Sequence, residues 1–427
     1  MPTRLTTSIA ATGFATFALL YAPQPVLPQL AAEYDLSPGS ASLAVSAATG
    51  ALAVVVVPVA SLSGRIGRRR VIVWSVLAAA VLGLLLPLAP SYPLFLALRV
   101  LQGVATAGVP AVAMAFLAEQ VGALGVGAAI GALVAGNSAG GMVGRLVAGV
   151  GADWLDWRGA LALVGAFGLV CAVLAALFLP AGRRRAQTPR PGLRAALGDR
   201  VLWCQYAIAA LAVAAFVSLF NVVSFRLAGP PLELPARFAA LVFLAYAAGG
   251  VCSAVAGRLA DRLGRGPVVL ASLGVAVLGA LATLPDALAA VCAGLALFTG
   301  GFFAAHAVAG GWVGARAPAH ARGQASGVYL FAFYVGSSAG GTAGSAAYGA
   351  WGWPGLVAVV TGWLALAGAA AVLAQKSSGT ATGEPSPATG TVPSCGSATV
   401  APVTPTVTER VSAGTSTTTA TGKVSPS

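Results

Sequence analysis

The chain alternates between apolar segments of about 20 residues and short polar connections, and no other feature constrains its fold as strongly. A helix of about 20 residues rises about 30 Å, which is the hydrocarbon thickness of a bilayer. Backbone polar groups in that layer must be satisfied within the segment, so each segment is expected to be a helix. Twelve segments are predicted, near residues 7–30, 42–62, 71–89, 94–117, 126–150, 160–179, 201–225, 238–256, 268–284, 288–314, 324–348 and 355–373. The predicted class is an all-α integral membrane protein.

Composition excludes several other classes of protein. Hydrophobic residues make up 58% of the 427 residues and charged residues 8%, which is too apolar for a soluble protein of this length. A net charge of +13 would suggest nucleic-acid binding if the cations formed one patch, but they stand in short clusters between apolar segments. Cys171, Cys204, Cys252 and Cys292 lie in apolar segments without CxxC spacing. We therefore expect no nucleic-acid partner, disulfide framework, metal site or cofactor.

The cations concentrate on one side of the predicted topology. Most arginines follow the second, sixth, eighth and tenth segments, whereas the opposite side is assigned Arg145, Arg158, Arg226 and Arg237. The positive-inside rule then predicts a multi-pass protein with both termini in the cytoplasm. The preference for Arg over Lys, with abundant Ala and Gly, is typical of a bacterial gene of high GC content. We therefore expect the protein in a bacterial cytoplasmic membrane.

Three landmarks recur at a nearly constant separation along the chain. The pairs are Arg65-Ile66-Gly67-Arg68 with Arg262-Leu263-Gly264-Arg265, Gly103 with Gly301, and the six residues from Gly136 with the six from Gly336. Such a repeat predicts two pseudo-symmetric bundles of six helices that rock around a central site. We expect an N-terminal bundle over 1–180, a basic cytoplasmic linker over 181–200, a C-terminal bundle over 201–375 and a disordered cytoplasmic tail over 376–427.

Several of these motifs resemble those of the major facilitator superfamily. The connection Ser61-Leu62-Ser63-Gly64-Arg65-Ile66-Gly67-Arg68-Arg69-Arg70 is similar to the loop between helices 2 and 3 of that family, and Arg99-Val100-Leu101-Gln102-Gly103 is similar to its helix 4 motif. The runs from Gly136 to Arg145 and from Gly301 to His306 resemble the YnfM-type inner-membrane transport proteins related to arabinose efflux permeases. The resemblance implies a central cavity lined by helices 1, 4, 7 and 10.

The same resemblance implies that the two arginine loops gate the inner side. The residues concerned are Gly64, Arg65, Gly67, Arg68, Asp261, Arg262, Gly264 and Arg265. The family's usual acid is replaced by Gly64 in the first loop and kept as Asp261 in the second. We therefore expect Asp261→Asn to impair transport more than conservative changes at Gly64.

Arg99 is the cation that we place well inside a predicted segment, where a charge costs roughly 2.5 to 3.5 kcal/mol on insertion scales. Gln102 lies three residues further on and therefore on the same helical face. Two interpretations are open. The pair lines a water-filled substrate cavity, or Arg99 fixes helix packing through backbone carbonyls.

Other polar side chains in the first and seventh segments are candidates for substrate contact. Tyr21 and Gln24 stand beside a run of prolines that must break the first helix. Gln205, Asn221 and Ser224 interrupt the apolar seventh segment, and Asn221 is the favoured ligand contact. Hydrogen bonding between helices is the alternative for these last three.

His306 is the histidine within a predicted segment, and imidazole titrates near neutral pH. It is the candidate for coupling transport to protons, with a neutral histidine bonded to a neighbouring helix as the alternative. No Asp or Glu falls inside a predicted span, whereas exporters of cationic drugs need such a carboxylate. We therefore expect a neutral or anionic small-molecule substrate.

Glycine-rich runs in the fifth and eleventh segments permit close approach between helices. They contain Gly136, Asn137, Gly140 and Gly141 in the first half and Gly336, Gly340 and Gly341 in the second. Asn137 stands where many family exporters have a proline. A conformational role and simple tight packing both remain open.

Together these patterns predict a monomeric, lipid-embedded secondary transporter that exports a small organic solute by alternating access. Coupling to protons is left open. Gradient-driven uptake of a sugar or anion is the alternative within transport. A transport-inactive sensor or scaffold is a further alternative, which sealed packing of Arg99 and Gln102 would favour. No paired carboxylates, metal ligands or nucleophile and base set stands at membrane depth, so we do not expect an enzyme.

Overall fold

The computed structural model describes residues 2–121, 123–181 and 193–380, and every regular element in these ranges is helical. The α-helices are α1 Pro2–Tyr21, α2 Leu27–Tyr34, α3 Pro38–Ile66, α4 Arg68–Leu85, α5 Tyr92–Thr106, α6 Gly108–Gln120, α7 Ala123–Phe178, α8 Leu193–Gly198, α9 Arg200–Ala228, α10 Ala236–Ala239, α11 Tyr246–Leu263, α12 Arg265–Ala282, α13 Leu288–Arg316 and α14 Arg322–Thr380. Short 3-10 turns occupy Gln24–Val26, Leu86–Leu88 and Ala240–Ala245. The prediction of an all-α protein is confirmed.

Ten stretches of the described chain are long and apolar enough to cross a membrane. Two of them, Ala129–Phe178 and Arg322–Ser377, contain 50 and 56 residues, which is about twice what one crossing needs. The backbone leaves helical geometry inside α7 at Asp156 and inside α14 at Gly352. Each long stretch therefore supplies two crossings, and the total agrees with the twelve that the sequence predicts.

The two breaks occupy equivalent places in the repeat and have different local causes. Asp156 has a φ of 55°, and its Oδ1 accepts hydrogen bonds from the backbone N–H groups of Arg158 at 2.6 Å and Gly159 at 3.0 Å. Its carboxylate thus caps the helix that follows. Gly352 has a φ of 65°, which glycine adopts without a Cβ penalty. Each break lets the chain reverse direction without a separate loop.

The arginine loops are tighter than the sequence suggests. Gly64 and Arg65, predicted in a loop, lie in α3, which ends at Ile66. Gly67 alone separates α3 from α4, with a φ of 99°, and Gly264 does the same between α11 and α12 with a φ of 85°. A positive φ at both turns explains why each carries glycine.

Each half has hydrophobic clusters of its own. Two clusters are built from residues between Leu5 and Leu179, with Tyr334 as the member from the other half. A third comprises residues from Ala196 to Ala371. We call α1 to α7 the N-terminal half and α8 to α14 the C-terminal half. The division into a bundle over 1–180 and a bundle over 201–375 stays a prediction.

Most of the predicted linker and tail cannot be compared with the structure. Linker residues 182–192 and tail residues 381–427 lie outside the described residues. Within the described part of the linker, α8 runs beside α9, and the Tyr206 hydroxyl donates to the Ala196 carbonyl at 3.0 Å. The last described turns of α14 extend to Thr380.

The halves contact each other from the middle of the bundle to one end. Polar links join Gln24 to Asn221, Ser46 to Ser338 and Asp153 to Arg237. We call the end that contains Asp153 and Arg237 the closed end. The opposite end contains the turns at Gly67 and Gly264, and we call it the arginine-loop end. There, residues 57–66 of α3 and 257–265 at the end of α11 are exposed on nearly every side, so neither segment packs against the other half.

Candidate functional site

Arg99 of α5 is fully buried inside the N-terminal half. Its guanidinium donates to the carbonyls of Leu19 at 3.3 Å and Leu20 at 2.6 Å, to the Ala44 carbonyl and to Gln102 Oε1. Leu19 and Leu20 belong to the last turn of α1, whose carbonyls lack helical partners and carry the negative end of the helix dipole. Arg99 therefore stabilises the end of α1 without a carboxylate.

Gln102 accepts a hydrogen bond from Arg99 and is itself shielded from solvent. Its Nε2 donates to the Ala79 carbonyl of α4 at 2.9 Å, and its side chain is fully buried. These contacts match the interpretation in which Arg99 fixes helix packing through backbone carbonyls. Whether the pair also borders a substrate path in another state of the protein stays a prediction.

Arg145 of α7, which the positive-inside rule assigns to the outer side, is a second buried cation. The residue is 2% exposed and lies at the interface between the halves, and the side of the membrane that it faces stays a prediction. Its Nε donates to Gln24 Oε1 and its Nη1 to the Gly141 carbonyl. The guanidinium carbon lies 4.4 Å from the ring centroid of Tyr21 and 4.5 Å from that of Tyr246. Arg145 thus touches side chains from both halves.

Gln24 extends this contact across the interface. Its Nε2 donates to Asn221 Oδ1 of α9 at 2.7 Å. Tyr21, Gln24 and Asn221, three of the predicted substrate contacts, are therefore brought together with Arg145 and Tyr246. We call these five residues the Arg145 cluster. Polar atoms in and beside the cluster remain unpaired among the described residues, namely Asn221 Nδ2, Tyr246 Oη and Ser46 Oγ.

Gly341 allows the cluster to stay compact. A Cβ placed on this residue of α14 would stand 3.0 Å from Asn221 Nδ2 and 3.3 Å from Ser46 Oγ. Gly141 is close to Arg145, because a Cβ placed on Gly141 would stand 3.1 Å from the Arg145 Nη1 atom. The equivalent glycines of the repeat thus both border this site.

The other glycines of these runs pack helices within a half. A Cβ on Gly136 or Gly140 would collide with the carbonyl oxygen of Ala10 or Phe14 in α1. Gly336 and Gly340 are pressed in the same way against Ala210 and Ala214 of α9. Asn137 faces Gly13 of α1, and its Oδ1 is buried without a hydrogen-bond partner.

The remaining predicted contacts form no hydrogen bond with the Arg145 cluster among the described residues. Gln205 is fully buried in α9 with both amide atoms unpaired, and the Ser224 hydroxyl is also unpaired. His306 of α13 has its Nδ1 3.0 Å from the Tyr329 hydroxyl, between the rings of Phe302 and Phe333. The histidine therefore has one titratable neighbour, a tyrosine from α14.

The first arginine turn is tied to its own half. Arg68 pairs with Glu119 and donates to the Ala115 carbonyl at 3.1 Å. Arg69 donates to the carbonyls of Ala176 and Leu179 at the end of α7, at 2.6 and 2.8 Å. Glu119 of α6 thus supplies the acid that Gly64 does not. In the second turn Asp261, Arg262 and Arg265 are exposed, and no ion pair of theirs occurs within the described ranges. The gating role of both turns stays a prediction.

Comparison with known proteins identifies the family. The profile of the Major Facilitator Superfamily matches residues 9–254 and 232–418. The chain belongs to the major facilitator superfamily. It is 37% identical over 372 residues to YybF, an uncharacterized MFS-type transporter of Bacillus subtilis, covering 85% of this chain and 91% of that protein. It is 40% identical over 370 residues to the inner membrane transport protein YnfM of Escherichia coli, covering 85% and 88% respectively.

A solved structure supports the same fold. The bacterial homolog of the human lysosomal transporter Spinster, in an inward-facing and unoccupied conformation, superposes with a TM-score of 0.77 at 16% identity, covering 90% of this chain and 99% of that one. The family match and the relatives named as transporters make this major facilitator a multi-pass membrane transporter that acts on small molecules, and it is not an enzyme.

Arg145 could have been found from the sequence of this major facilitator. It lies inside the predicted segment 126–150, and an ionisable residue at membrane depth is by default a functional candidate. Its pairing with Gln24 and Tyr246 had no such signal, because these residues are distant in the chain.

Proposed function

We propose that this major facilitator exports a small organic solute across the bacterial cytoplasmic membrane by alternating access. One observation carries the proposal, namely that the polar links of Gln24 with Asn221, Ser338 with Ser46 and Arg237 with Asp153 join the halves from the middle of the bundle to the closed end, whereas residues 57–66 and 257–265 at the arginine-loop end are largely exposed. Rocking the halves against each other would break these links and bring the arginine turns together.

The arginine distribution supports the orientation. Arg65, Arg68, Arg262 and Arg265 stand at the arginine-loop end, and the positive-inside rule assigns that end to the cytoplasm. The described state is then open to the cytoplasm, with both termini on that side. An exporter must collect its solute from this side, and the resemblance to efflux permeases favours the same direction.

Proton coupling is proposed at His306. A relay needs a second titratable group within hydrogen-bond reach, and the Tyr329 hydroxyl at 3.0 Å meets this need. We expect His306→Gln to abolish the dependence of transport on a pH gradient while leaving solute counterflow intact. Counterflow lost together with the pH dependence would contradict a role confined to coupling.

A disulfide across the halves tests alternating access. A Cβ on Gly50 would lie 3.5 Å from Ser338 Cβ, which is within the range that disulfides require. The pair Gly50→Cys/Ser338→Cys is placed in a background with the five native cysteines replaced by alanine. A counterflow screen in proteoliposomes first identifies a transported solute. Oxidation should then stop transport of that solute, and reduction should restore it.

The two single-cysteine variants are the matched controls and should transport equally under both conditions. Full transport by the oxidised double variant would overturn alternating access about this interface. Accumulation of the solute in inside-out vesicles would support export, and accumulation in right-side-out vesicles would support uptake.

A transport-inactive sensor or scaffold is the second candidate, because Arg99 and Gln102 are sealed in packing contacts. The Arg145 cluster counts against it, since a static protein has no need of unpaired polar atoms between two halves. Counterflow of no solute in the screen, with a protein shown to be folded, would favour the scaffold.

A further inference from the structure

Arg145 is less completely paired than the other buried cation. A guanidinium offers five N–H donors. Arg99 uses its donors on four acceptors, whereas Arg145 reaches two, Gln24 Oε1 and the Gly141 carbonyl. Within the described ranges no hydrogen bond from Arg145 Nη2 is found, and no carboxylate pairs with the residue. Its charge is therefore balanced only by carbonyl oxygens and ring faces.

The neighbouring unpaired atoms are suited to an acceptor. Asn221 Nδ2 can only donate, and it is buried without a partner. Tyr246 Oη is also unpaired, and its ring faces Arg145. Buried donors without acceptors destabilise a protein unless a ligand or water fills the gap. The cluster thus presents a cation and two further unpaired donors, the Asn221 amide and the Tyr246 hydroxyl, from which a ligand oxygen could accept.

The number of charges at the site limits the ligand. The described cluster holds one cation and no acid, so it balances a single negative charge. A planar guanidinium matches a carboxylate with two parallel hydrogen bonds. The wall around it is aromatic, because the Tyr246 ring centroid lies 5.4 Å from that of Phe216 and 5.8 Å from that of Phe303. A flat apolar body beside the carboxylate would pack against these rings.

The cluster lies where the two halves begin to separate. On α11, Tyr246 contacts Arg145, but one turn nearer the arginine-loop end Gly250 is exposed, and a Cβ there would meet no atom within 4 Å. On α7, Val134 is 51% exposed toward the same end. A solute that enters between α7 and α11 therefore meets the Arg145 cluster at the point where the gap closes.

We propose that Arg145 binds the carboxylate of a monoanionic aromatic acid, which is the transported solute, and that this carboxylate replaces Gln24 as the partner of Arg145. The proposal rests on the transport function proposed above and specifies the substrate class. Gln24 links Arg145 to Asn221 of the other half, so its displacement weakens a contact that holds the closed end together. Substrate binding would thereby promote the change of state.

Binding to the purified full-length protein in detergent tests this proposal without a transport assay. The probes are benzoate, phenylacetate and 4-hydroxybenzoate, each compared with its neutral amide, and the readout is the ligand-dependent shift in melting temperature. At least one acid should stabilise the protein where its amide does not. Arg145→Gln should weaken binding of that acid by at least about tenfold. The exposed cation variant Arg158→Gln is the matched control and should bind as the wild type does.

The variant Gln24→Ala distinguishes two roles of Arg145, namely binding of the substrate and structural support. Removing the competing acceptor should tighten binding of the acid by about threefold, because Arg145 no longer exchanges one partner for another. Weaker or unchanged binding in Gln24→Ala would overturn the exchange, and this variant also serves if Arg145→Gln does not fold. Equal shifts from acids and amides, or no shift from any acid, would overturn the monocarboxylate site.

The outcomes also distinguish this inference from the transport proposal. Acid binding through Arg145 combined with unimpaired transport in the oxidised Gly50→Cys/Ser338→Cys variant would preserve the site and reject alternating access. Failure of the acids to bind, with transport stopped by oxidation, would preserve alternating access and reject the carboxylate site.

Discussion

At the scale of single residues, the two buried arginines show how one side chain serves different ends. Arg99 is enclosed by the N-terminal half and neutralises the carbonyl end of α1. Arg145 lies between the halves, has two acceptors and faces two tyrosines. Their difference lies in the surroundings and not in burial, since both are almost fully enclosed. A stability role for Arg99 and a ligand role for Arg145 follow.

Replacing Arg99 by methionine tests the stability role. Arg99→Met keeps most of the volume but leaves buried acceptors at Leu20, Ala44 and Gln102 unpaired. We expect a loss of about 3 kcal/mol in the free energy of unfolding, measured as a lower melting temperature. Arg158→Met removes an exposed pair with Glu33 and should cost no more than about 1 kcal/mol. Equal costs in the two variants would contradict the role assigned to Arg99.

Two glycines three residues apart should respond to alanine in opposite directions. Gly67 has a φ of 99°, so Gly67→Ala strains the turn and should cost about 1 to 3 kcal/mol. Gly64 lies inside α3, and no atom stands within 4 Å of the place that an added methyl group would take. Gly64→Ala should therefore stabilise the helix by up to about 1 kcal/mol. The melting temperatures of both variants are the measurement, and a higher melting temperature for Gly67→Ala would contradict the strain expected at this positive φ.

At the scale of elements, the breaks and the close helix pairs define each half. α1 ends where Pro23, Pro25 and Pro28 follow, and α7 and α14 bend at Asp156 and Gly352. Between the breaks, α7 packs on α1 and α14 packs on α9 through glycines. This pairing gives each half a rigid contact that does not depend on the other.

Bulky replacements should disrupt the pair formed by α1 and α7. Gly140→Leu forces a side chain into the Phe14 backbone, and such overpacking costs about 1 to 3 kcal/mol or more. Gly131→Leu, on the same helix and free of neighbours within 4 Å, is the matched control. We expect the first variant to lose its monodisperse peak in size-exclusion chromatography and the second to keep it. Similar profiles would show that this contact tolerates expansion.

At the scale of the whole molecule, the closed end carries an ion pair between the halves, formed by Arg237 and Asp153. Arg237 donates to Asp153 from its side chain at 3.4 Å and from its backbone N–H at 3.2 Å. The Arg237 side chain is 47% exposed, so the pair holds the closed end weakly. A transporter must leave each state readily, and weak links at the rim are consistent with that need.

Removing the acid at the rim should change the balance between states only slightly. Asp153→Asn should shift the population away from the described state by at most about fivefold, which corresponds to about 1 kcal/mol. Spin labels at Ser61→Cys and Gly257→Cys, in the cysteine-free background, report the distance between halves at the arginine-loop end. A complete shift to a short distance would show that this pair alone determines the state.

Much of the architecture could be read from the chain. Segment length and apolar composition predicted twelve helical crossings, and the repeat predicted the equivalent turns at Gly67 and Gly264. Tyr21, Gln24 and Asn221 were chosen because they were polar in apolar segments, and they do meet. Gln205 and Ser224 are polar in the same segment as Asn221 but form no hydrogen bond with the Arg145 cluster among the described residues, because polarity does not say which face a side chain will share.

The sequence by itself determined that the chain lies in a bilayer, because the cost of burying backbone and charge in hydrocarbon acts on each segment locally. Only the tertiary structure decided the roles of the charges within it. Arg99 is sealed and Arg145 stands between the halves because helices distant in the chain pack around them, and burial, pairing and access are properties of those contacts.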